Sequence, residues 1–532
     1  MSIIIRNLTY AHPDKELLFS NLTLSINPGE KIALTGKNGC GKSTLMRILA
    51  GELSPSSGTA TLTHPFYYIP QHFGQYDSFS VAQVMKINER IEALNAILSG
   101  DTSEKNFTCL NDDWTIEERA KAALRVWDME DVSLTRPMDG LSGGEKTRIF
   151  LAGLELHNPS VILMDEPTNH LDTMGRKNLY EYIKRTQATL LVISHDRDLL
   201  NLLPAICELS QSEIKYYGGN YDFFKEQKGI QINALQQKIE EKQTALRLAK
   251  KTAREMAEQK AKQNVRGEKT NLKKSVPPIA MHYLRDKAEK STTKLNDVHA
   301  EKSEKLMEDL RKLRSNMPVN DKLKTDFAGS DLHSGKILVT AKEINFRYPG
   351  SEANLWANPI SIQLRSGDRF TIKGNNGSGK TTLLKLITGE LEPVEGTLER
   401  AAFSYVYLDQ EYSLIDNGLT VLEQTEAYNR RHLPDHEVKT ILNRYLFPVH
   451  TWDKQCRELS GGEKMRLAFC CLMIANNTPD IFILDEPTNN LDLDSIEIIT
   501  ATIRDFTGTV LAVSHDRLFL SEINCEKELV TE

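Results

Sequence analysis

Short β-branched runs alternate with stretches whose apolar positions recur every three or four residues, and this alternation occupies both ends of the chain. Ile32-Ala33-Leu34-Thr35, Val161 to Met164 and Leu190 to Ser194 have strand length. Phe370-Thr371-Ile372-Lys373, Ile481 to Leu484 and Val510 to Ser514 repeat them in the second half. Strands of this size separated by helical stretches predict α/β layers around a mainly parallel sheet, with ligand-binding loops at the carboxyl ends of the strands. The opening Met1-Ser2-Ile3-Ile4-Ile5-Arg6-Asn7 reads as one more strand. It lacks the charged head, long apolar middle and small-residue cleavage site of a secretory signal.

The middle of the chain has a different period. Leu235, Ile239, Leu246, Ala249, Ala253 and Met256 fall on one helical face, and Leu284, Ala288, Ser291, Leu295, Val298, Leu306, Leu310 and Leu313 form a second stripe. Gly267, Pro277 and Pro278 lie between the stripes and mark a turn. Two antiparallel helices joined at a tip are therefore expected, the first from about Tyr221 to Gln263 and roughly 60 Å long at 1.5 Å per residue. The predicted division is a first α/β domain over 1–220, a helical linker over 221–335 and a second α/β domain over 336–532.

Charge sharpens this division. The chain carries a formal net charge of −7, yet between Gln231 and Asn320 there are 21 Lys and Arg against 12 Asp and Glu. The excess gathers at the predicted tip, around Arg266, Lys269, Lys273 and Lys274. A charged hairpin that merely stays solvated is one reading. A phosphate-backbone contact is the other, because each neutralised phosphate releases counterions. Tyr283 is the one aromatic residue near the tip, so contact by charge and shape is expected rather than base stacking. The longest apolar run, Leu467 to Ala475, is far short of the roughly 20 residues a spanning helix needs. Seven cysteines without metal-ligand spacing suggest reduced thiols and a cytoplasmic protein.

The chemistry lies in motifs that occur twice. Gly36-Lys37-Asn38-Gly39-Cys40-Gly41-Lys42-Ser43-Thr44 and Gly374-Asn375-Asn376-Gly377-Ser378-Gly379-Lys380-Thr381-Thr382 each follow a predicted strand. Glycines there let backbone N–H groups converge on an anion at a helix start, so the loops predict ATP phosphate binding. Lys42 and Lys380 would reach the β- and γ-phosphates, and Ser43 and Thr381 would ligate Mg²⁺. Asp165 and Asp485 end apolar strands and are placed to hold the metal through its water shell. Glu166 and Glu486 follow directly, where a carboxylate can orient the attacking water. From Glu166 to His195 is 29 residues, and from Glu486 to His515 is also 29. Cys40, inside the first loop, reads either as an oxidation-sensitive thiol or as a small residue in a tight turn.

Leu141-Ser142-Gly143-Gly144-Glu145 and Leu459-Ser460-Gly461-Gly462-Glu463 resemble the signature of ATP-binding-cassette ATPases. That resemblance implies two head-to-tail composite sites, with Ser142, Gly143 and Gly144 capping the ATP held by Lys380, and Ser460, Gly461 and Gly462 capping the ATP held by Lys42. It implies adenine stacking for Tyr10 and Tyr348, each 32 residues before its phosphate-loop lysine. Gln71 and Gln410 match the glutamine that senses metal and water, and His195 and His515 match the switch histidine on the γ-phosphate. Adjacent Ser-His-Asp residues cannot converge as a hydrolase triad.

Two cassettes, a basic helical linker, and the strings Asp165-Glu166-Pro167-Thr168-Asn169-His170-Leu171-Asp172 and Tyr217-Gly218-Gly219-Asn220-Tyr221 together resemble the ABC-F family over essentially the whole chain. The resemblance implies a cytoplasmic ATPase that binds the ribosome at the tRNA exit site, with its linker toward rRNA and P-site tRNA, and modulates translation on stalled or antibiotic-blocked ribosomes. It implies a monomer with intramolecular cassette pairing, no membrane partner and no DNA. The alternatives are the ATPase subunit of a membrane transporter with separate transmembrane subunits and a general nucleic-acid-structure ATPase. Two departures qualify the repeat: Asn490 stands where the first cassette has His170, and the interval from Gln71 to Ser142 exceeds that from Gln410 to Ser460. A short ribosome-contacting arm is expected in that insertion, near Ile87 to Trp114.

Overall fold

The computed structural model describes residues 1–13, 17–273, 301, 303–314, 332–351, 353–375, 377–409, 412–475, 478–489 and 491–531. The chain forms two compact units. One comprises Met1–Asp222 with Leu323–Glu532, and the other comprises Phe223–Lys322.

In the first half, β1 (Ile3–Ala11), β2 (Leu17–Ile26) and β4 (Ser57–Leu62) make an antiparallel sheet in the order β2-β1-β4. β3 (Lys31–Thr35), β5 (Phe66–Ile69), β6 (Val161–Asp165), β7 (Thr189–Ile193), β8 (Ala205–Leu209) and β9 (Ile214–Tyr217) make a second sheet. Its order is β5-β6-β7-β3-β8-β9, parallel except for the last strand. Full burial of β6 and β7 is what continuous apolar runs require of strands covered on both faces. The helix Lys42–Leu49 buries Leu45, Met46, Ile48 and Leu49 in a core shared by both sheets, with Ile3, Ile5, Phe19, Leu34 and Leu163.

The second half repeats the plan. β10 (Ile337–Asn345), β11 (Ile360–Arg365) and β13 (Glu395–Arg400) pair in the order β11-β10-β13. β12 (Arg369–Lys373), β14 (Tyr405–Leu408), β15 (Ile481–Asp485), β16 (Thr509–Val513) and β17 (Lys527–Val530) pair in parallel as β14-β15-β16-β12-β17. The two halves are thus tandem α/β cassettes, and the expected strands are found within a residue or two of their predicted ends. Ser194 and Ser514 fall just beyond β7 and β16, in the loops that carry the histidines. The insertion folds as two short helices, Asn88–Leu98 and Glu104–Leu110, packed on each other.

Duplication extends to irregular backbone. β1 bulges at Asn7, which has a positive φ of 47°, and β10 bulges at Glu343, with φ 51°. Opposite each bulge is a glycine, Gly58 and Gly396, whose φ is 82° and 80°. A Cβ there would sit 2.3 Å from the Asn7 or Glu343 carbonyl oxygen.

The second unit is built on the helix Tyr221–Lys273, which at 53 residues is about 80 Å long. Sequence periodicity ended this helix near Gln263, but it runs through Gly267. A lone interior glycine costs only about 1 kcal/mol against alanine, and its neighbours propagate the helix past it. Ile239 is buried on the predicted stripe, while Met256 is exposed. The helical stretch 303–314 lies alongside: Lys242 Nζ donates to Asp309 at 2.7 Å, and Leu310 is buried. Pro277, Pro278 and the stripe from Leu284 to Val298 lie outside the described residues, as does the predicted turn of the hairpin. Among the described residues, no helix is long and apolar enough to cross a membrane.

Steric demand at the paired bulges gives a test. Gly58→Ala should destabilise the protein by clearly more than Gly51→Ala, whose φ is also positive but whose Cβ would meet nothing within 4 Å. The latter should cost about 1 kcal/mol for left-handed backbone alone. Thermal unfolding of both variants beside the unsubstituted protein checks this, and equal melting temperatures would refute it.

Candidate nucleotide sites

Each phosphate loop leaves the carboxyl end of a central strand, β3 or β12, and enters a helix, Lys42–Leu49 or Lys380–Thr388. The last glycine caps that helix in the left-handed region, Gly41 at φ 98° and Gly379 at φ 86°. Neither position has room for a Cβ. It would meet Leu18 and Phe19 at 2.8 Å in the first cassette, and Leu355 and Trp356 at 2.6 and 2.9 Å in the second. The loop is thereby pressed onto an apolar pair, and the lysine that follows folds back over it. Lys42 Nζ donates to the carbonyls of Gly36 and Lys37 at 2.7 and 3.2 Å, and Lys380 Nζ to those of Gly374 and Asn375 at 2.9 Å each. Burial pushes the Cys40 thiol up, away from the reactive thiolate, which favours its role as a small loop residue. Asn376 lies outside the described residues.

Facing each loop are the ends of β6 and β15. Ser43 hydrogen-bonds Asp165, and Thr381 Oγ1 donates to Asp485 Oδ2 at 3.0 Å. Sequence reading missed a tyrosine at each of these carboxylates. Tyr407 OH donates to Asp485 Oδ2 at 2.9 Å, and Tyr68, at the same place in the first cassette, feels the charge of Asp165. A signal was present, because each tyrosine precedes its glutamine, Gln71 or Gln410, by three residues. Gln71 is half-buried just beyond β5, and Gln410 lies outside the described residues.

Glu166 and Glu486 adopt the left-handed backbone, at φ 51° and 50°. For a non-glycine residue this is a strained state that surrounding contacts must hold. Those contacts come from the histidine loops. Glu166 N donates to Ile193 O at 2.9 Å, and His195 N donates to Glu166 Oε2 at 3.4 Å; Glu486, Val513 and His515 repeat this at 2.8 and 3.4 Å. The rings face the same carboxylates, with His195 Nε2 3.5 Å from Glu166 Oε1 and His515 Nε2 3.3 Å from Glu486 Oε1. Burial, and after it Asp165, pushes the Glu166 carboxyl up to about 8. Burial pushes Glu486 up to about 7, against the opposing charge of Arg176. Burial also lowers His195 to about 3 and His515 to about 4, so both imidazoles are neutral.

Asp165 Oδ1, Glu166 Oε1, His195 Nδ1 and Glu486 Oε1 are buried without a hydrogen-bond partner. Buried polar atoms are normally satisfied, so the first three, at the first site, and Glu486 Oε1, at the second, fit a metal-bound phosphate and a water. The donor set is right for Mg²⁺, a hard cation that takes a hydroxyl, a carboxylate contact and phosphate oxygens rather than an all-protein cage. Ser43 with Asp165, and Thr381 with Asp485, are the residues that would hold it.

The signature serines spend their side chains locally. Ser142 and Glu145 form a capping box at the helix Gly143–His157, and Ser460 does the same with Glu463 at the helix Gly461–Ala475. Cross-cassette contacts to these sites instead come from Asp492 and Thr173, which were not singled out in the sequence. Asp492 Oδ2 accepts from the Asn38 backbone N–H of the opposite phosphate loop at 3.1 Å, and Thr173 Oγ1 lies 3.0 Å from His515 Nδ1. Asp172, the counterpart of Asp492, is held by Arg148 at 2.7 Å. A cavity of about 640 Å³ beside Lys380, Glu486 and His515 is completed by Thr173. Tyr10 is half-buried against Phe19, whereas Tyr348 is 49% exposed with its hydroxyl 2.7 Å from Thr382 Oγ1. The Tyr348 ring is available to stack on a base. Asn490 lies outside the described residues; His170 packs against Gly143 of its own signature helix. Of the basic tip, Arg266 is exposed, Lys269 and Lys273 fall within the long helix, and Lys274 lies outside the described residues.

These features agree with comparison to known proteins. The family model described as ABC transporter matches residues 19–169 and 357–489. The ABC transporter ATP-binding protein YfmM of Bacillus subtilis is 28% identical, covering 99% of both chains. ABC transporter F family member 4 of Arabidopsis thaliana is 30% identical, covering 99% of this chain and 73% of its own. Among solved structures, the archaeal ribosome recycling factor aABCE1, in complex with ribosomal stalk protein aP1, superposes with a TM-score of 0.59 at 20% identity, over 98% of this chain and 87% of that one. Two matched cassettes make the protein an ATPase that uses ATP with Mg²⁺. With cassettes duplicated in one chain and a relative of that name matched over 99% of this chain, it belongs to the ABC-F family of ATP-binding-cassette ATPases.

Proposed function

We propose that the chain hydrolyses ATP at two composite sites and uses the cycle to act on the ribosome. The observation that carries the first part is the pair of Glu–His contacts, Glu166 with His195 and Glu486 with His515, each at a strand end beside a phosphate loop. Lys42 and Lys380 exchange their loop carbonyls for phosphate oxygens when ATP binds. Ser142, Gly143 and Gly144 then close on the ATP of Lys380, and Ser460, Gly461 and Gly462 on that of Lys42, with Tyr10 and Tyr348 against the bases. The Mg²⁺ bound with ATP supplies charge neutralisation across the phosphates. Glu166 and Glu486 orient a water in line with the γ-phosphorus; its oxygen bonds to phosphorus as the bridge to the β-phosphate breaks, giving ADP and phosphate. His195 and His515, neutral and with their backbone N–H groups on the carboxylates, each turn their single ring N–H to a γ-phosphate oxygen.

The second part rests on the family, on the ribosome factor that shares the fold, and on the 53-residue helix with its basic end. In this reading the protein occupies the tRNA exit site, directs the linker toward rRNA and P-site tRNA, and modulates translation on stalled or antibiotic-blocked ribosomes. It works as a monomer whose own cassettes pair.

Glu166→Gln combined with Glu486→Gln should bind ATP yet lose at least 100-fold in turnover, the usual worth of a positioned base, and should co-sediment with ribosomes in ATP. If it sediments with membranes, or stays free of ribosomes, the translation reading fails. Replacing Arg266, Lys269, Lys273 and Lys274 with Ala should leave ATP hydrolysis intact while weakening ribosome binding and flattening its salt dependence. Unchanged binding at every salt concentration would return the tip to a solvated hairpin. In a Glu166→Gln background, Tyr407→Phe should raise the Mg²⁺ concentration for half-maximal turnover by about tenfold, as loss of a group that orients a metal ligand does. Tyr68→Phe in the same background should leave it unchanged.

A further inference from the structure

The histidine loops of the two cassettes are held in different ways. Glu166 and Glu486, His195 and His515, and Asp196 and Asp516 are equivalent pairs, each 320 residues apart. Asp196 is satisfied within its own cassette. Its Oδ2 accepts from Arg176 Nη1 at 3.2 Å and from Tyr180 OH at 2.6 Å, while Oδ1 caps the helix Arg197–Leu202 through Leu199 N. Asp516 caps its helix in the same manner through Phe519 N, but the positions equivalent to Arg176 and Tyr180 are Ile496 and Thr500. Thr500 gives its hydroxyl to Ile496 O. Neither residue can neutralise Asp516.

A cation from the first cassette does so instead. Arg197 Nη2 lies 3.2 Å from both Asp516 oxygens, and its Nη1 lies 2.7 Å from Glu522 Oε2. The Arg197 side chain is only 2% exposed, so this is a desolvated ion pair and not a surface one. The reverse contact is weaker: Arg517 is exposed and acts on Asp198 of the first cassette by charge alone, and Leu202 stands where Glu522 would be needed. Thr173, which reaches His515, is likewise answered by Leu493, which carries no hydroxyl. The Arg197 ion pair and the Thr173 contact thus both run from the first cassette to the second.

We propose that Arg197 is a positioning residue acting in trans: it sets the His515 loop of the second cassette for hydrolysis when the cassettes pair, whereas the His195 loop is preset in cis by Arg176 and Tyr180. The histidine loop of the Lys380 and Glu486 site is then the one coupled to cassette pairing, and that of the Lys42 and Glu166 site is less dependent on it. This rests on Glu166 and Glu486 being the hydrolytic carboxylates.

Single-site proteins separate the two. Glu166→Gln leaves hydrolysis to the Glu486 site, and Glu486→Gln leaves it to the Glu166 site. Adding Arg197→Ala to the first should lower kcat at least tenfold with KM for ATP changed less than twofold, and adding it to the second should change kcat less than twofold. Arg197→Lys in the first background should recover most of the loss. Equal losses in both backgrounds, as a folding defect would give, or no loss in either, would overturn the proposal. A Glu166→Gln, Glu486→Gln protein that still hydrolyses ATP would remove the carboxylate assignment itself, a failure visible before Arg197 is touched.

Discussion

A carboxylate and an imidazole from distant parts of a chain stay within 3.5 Å only if the strands that carry them end at the same level. In this protein that condition is met by register. Asp165 pairs with Ile193 across β6 and β7, and Asp485 with Val513 across β15 and β16, so the residues that follow, Glu166 and Glu486, emerge beside the loops of His195 and His515. A slip by one residue would turn every side chain of a buried strand to the other face and part the pair. Both strands are fully buried in each cassette, which makes such a slip costly. The apolar core thus fixes the chemistry through register, and the left-handed backbone at each glutamate is the local strain it sustains.

Much of this was legible in the sequence because it is local. Phosphate loops, strand-ending aspartates and the repeated 29-residue spacing are contiguous strings whose physics is that of one turn or one strand. What stayed hidden depends on which residues meet across the fold. Tyr68 and Tyr407 reach the aspartates from neighbouring strands, and Arg197 meets Asp516 from the other cassette. The extent of the long helix was misread for another reason. Gly267 was grouped with Pro277 and Pro278 as a turn, whereas a helix end is decided by the sum of its neighbours' propensities and by a capping residue.

The two copies agree where backbone geometry is demanding and differ where side chains choose partners. Bulges at Asn7 and Glu343, with Gly58 and Gly396 opposite, repeat almost degree for degree. These positions tolerate little, since a Cβ would strike a carbonyl. At the loop-holding positions the demand is only that a buried aspartate be neutralised, and any cation within reach meets it. A duplicated chain can then drift without losing its fold, so that one copy keeps its cation in cis and the other takes it from its neighbour.

That drift changes what an interface can do. If each loop were held in cis, cassette pairing would close the nucleotide sites without altering their switch residues. If both were held in trans, neither site could be set without the other cassette. With Arg176 beside Asp196 and Arg197 on Asp516, the molecule has one loop of each kind. The Asp172 side shows the complementary difference, held by Arg148 in its own cassette, while Asp492 reaches the opposite phosphate loop at Asn38. Each nucleotide site therefore receives a hydrogen bond across the interface, but at a different part, the phosphate loop in the first and the histidine loop in the second, while the charges of Asp492 and Asp172 reach His195 and Lys380. Separation of the cassettes removes a different element from each, which is a physical basis for two ATP sites that fire unequally within one chain.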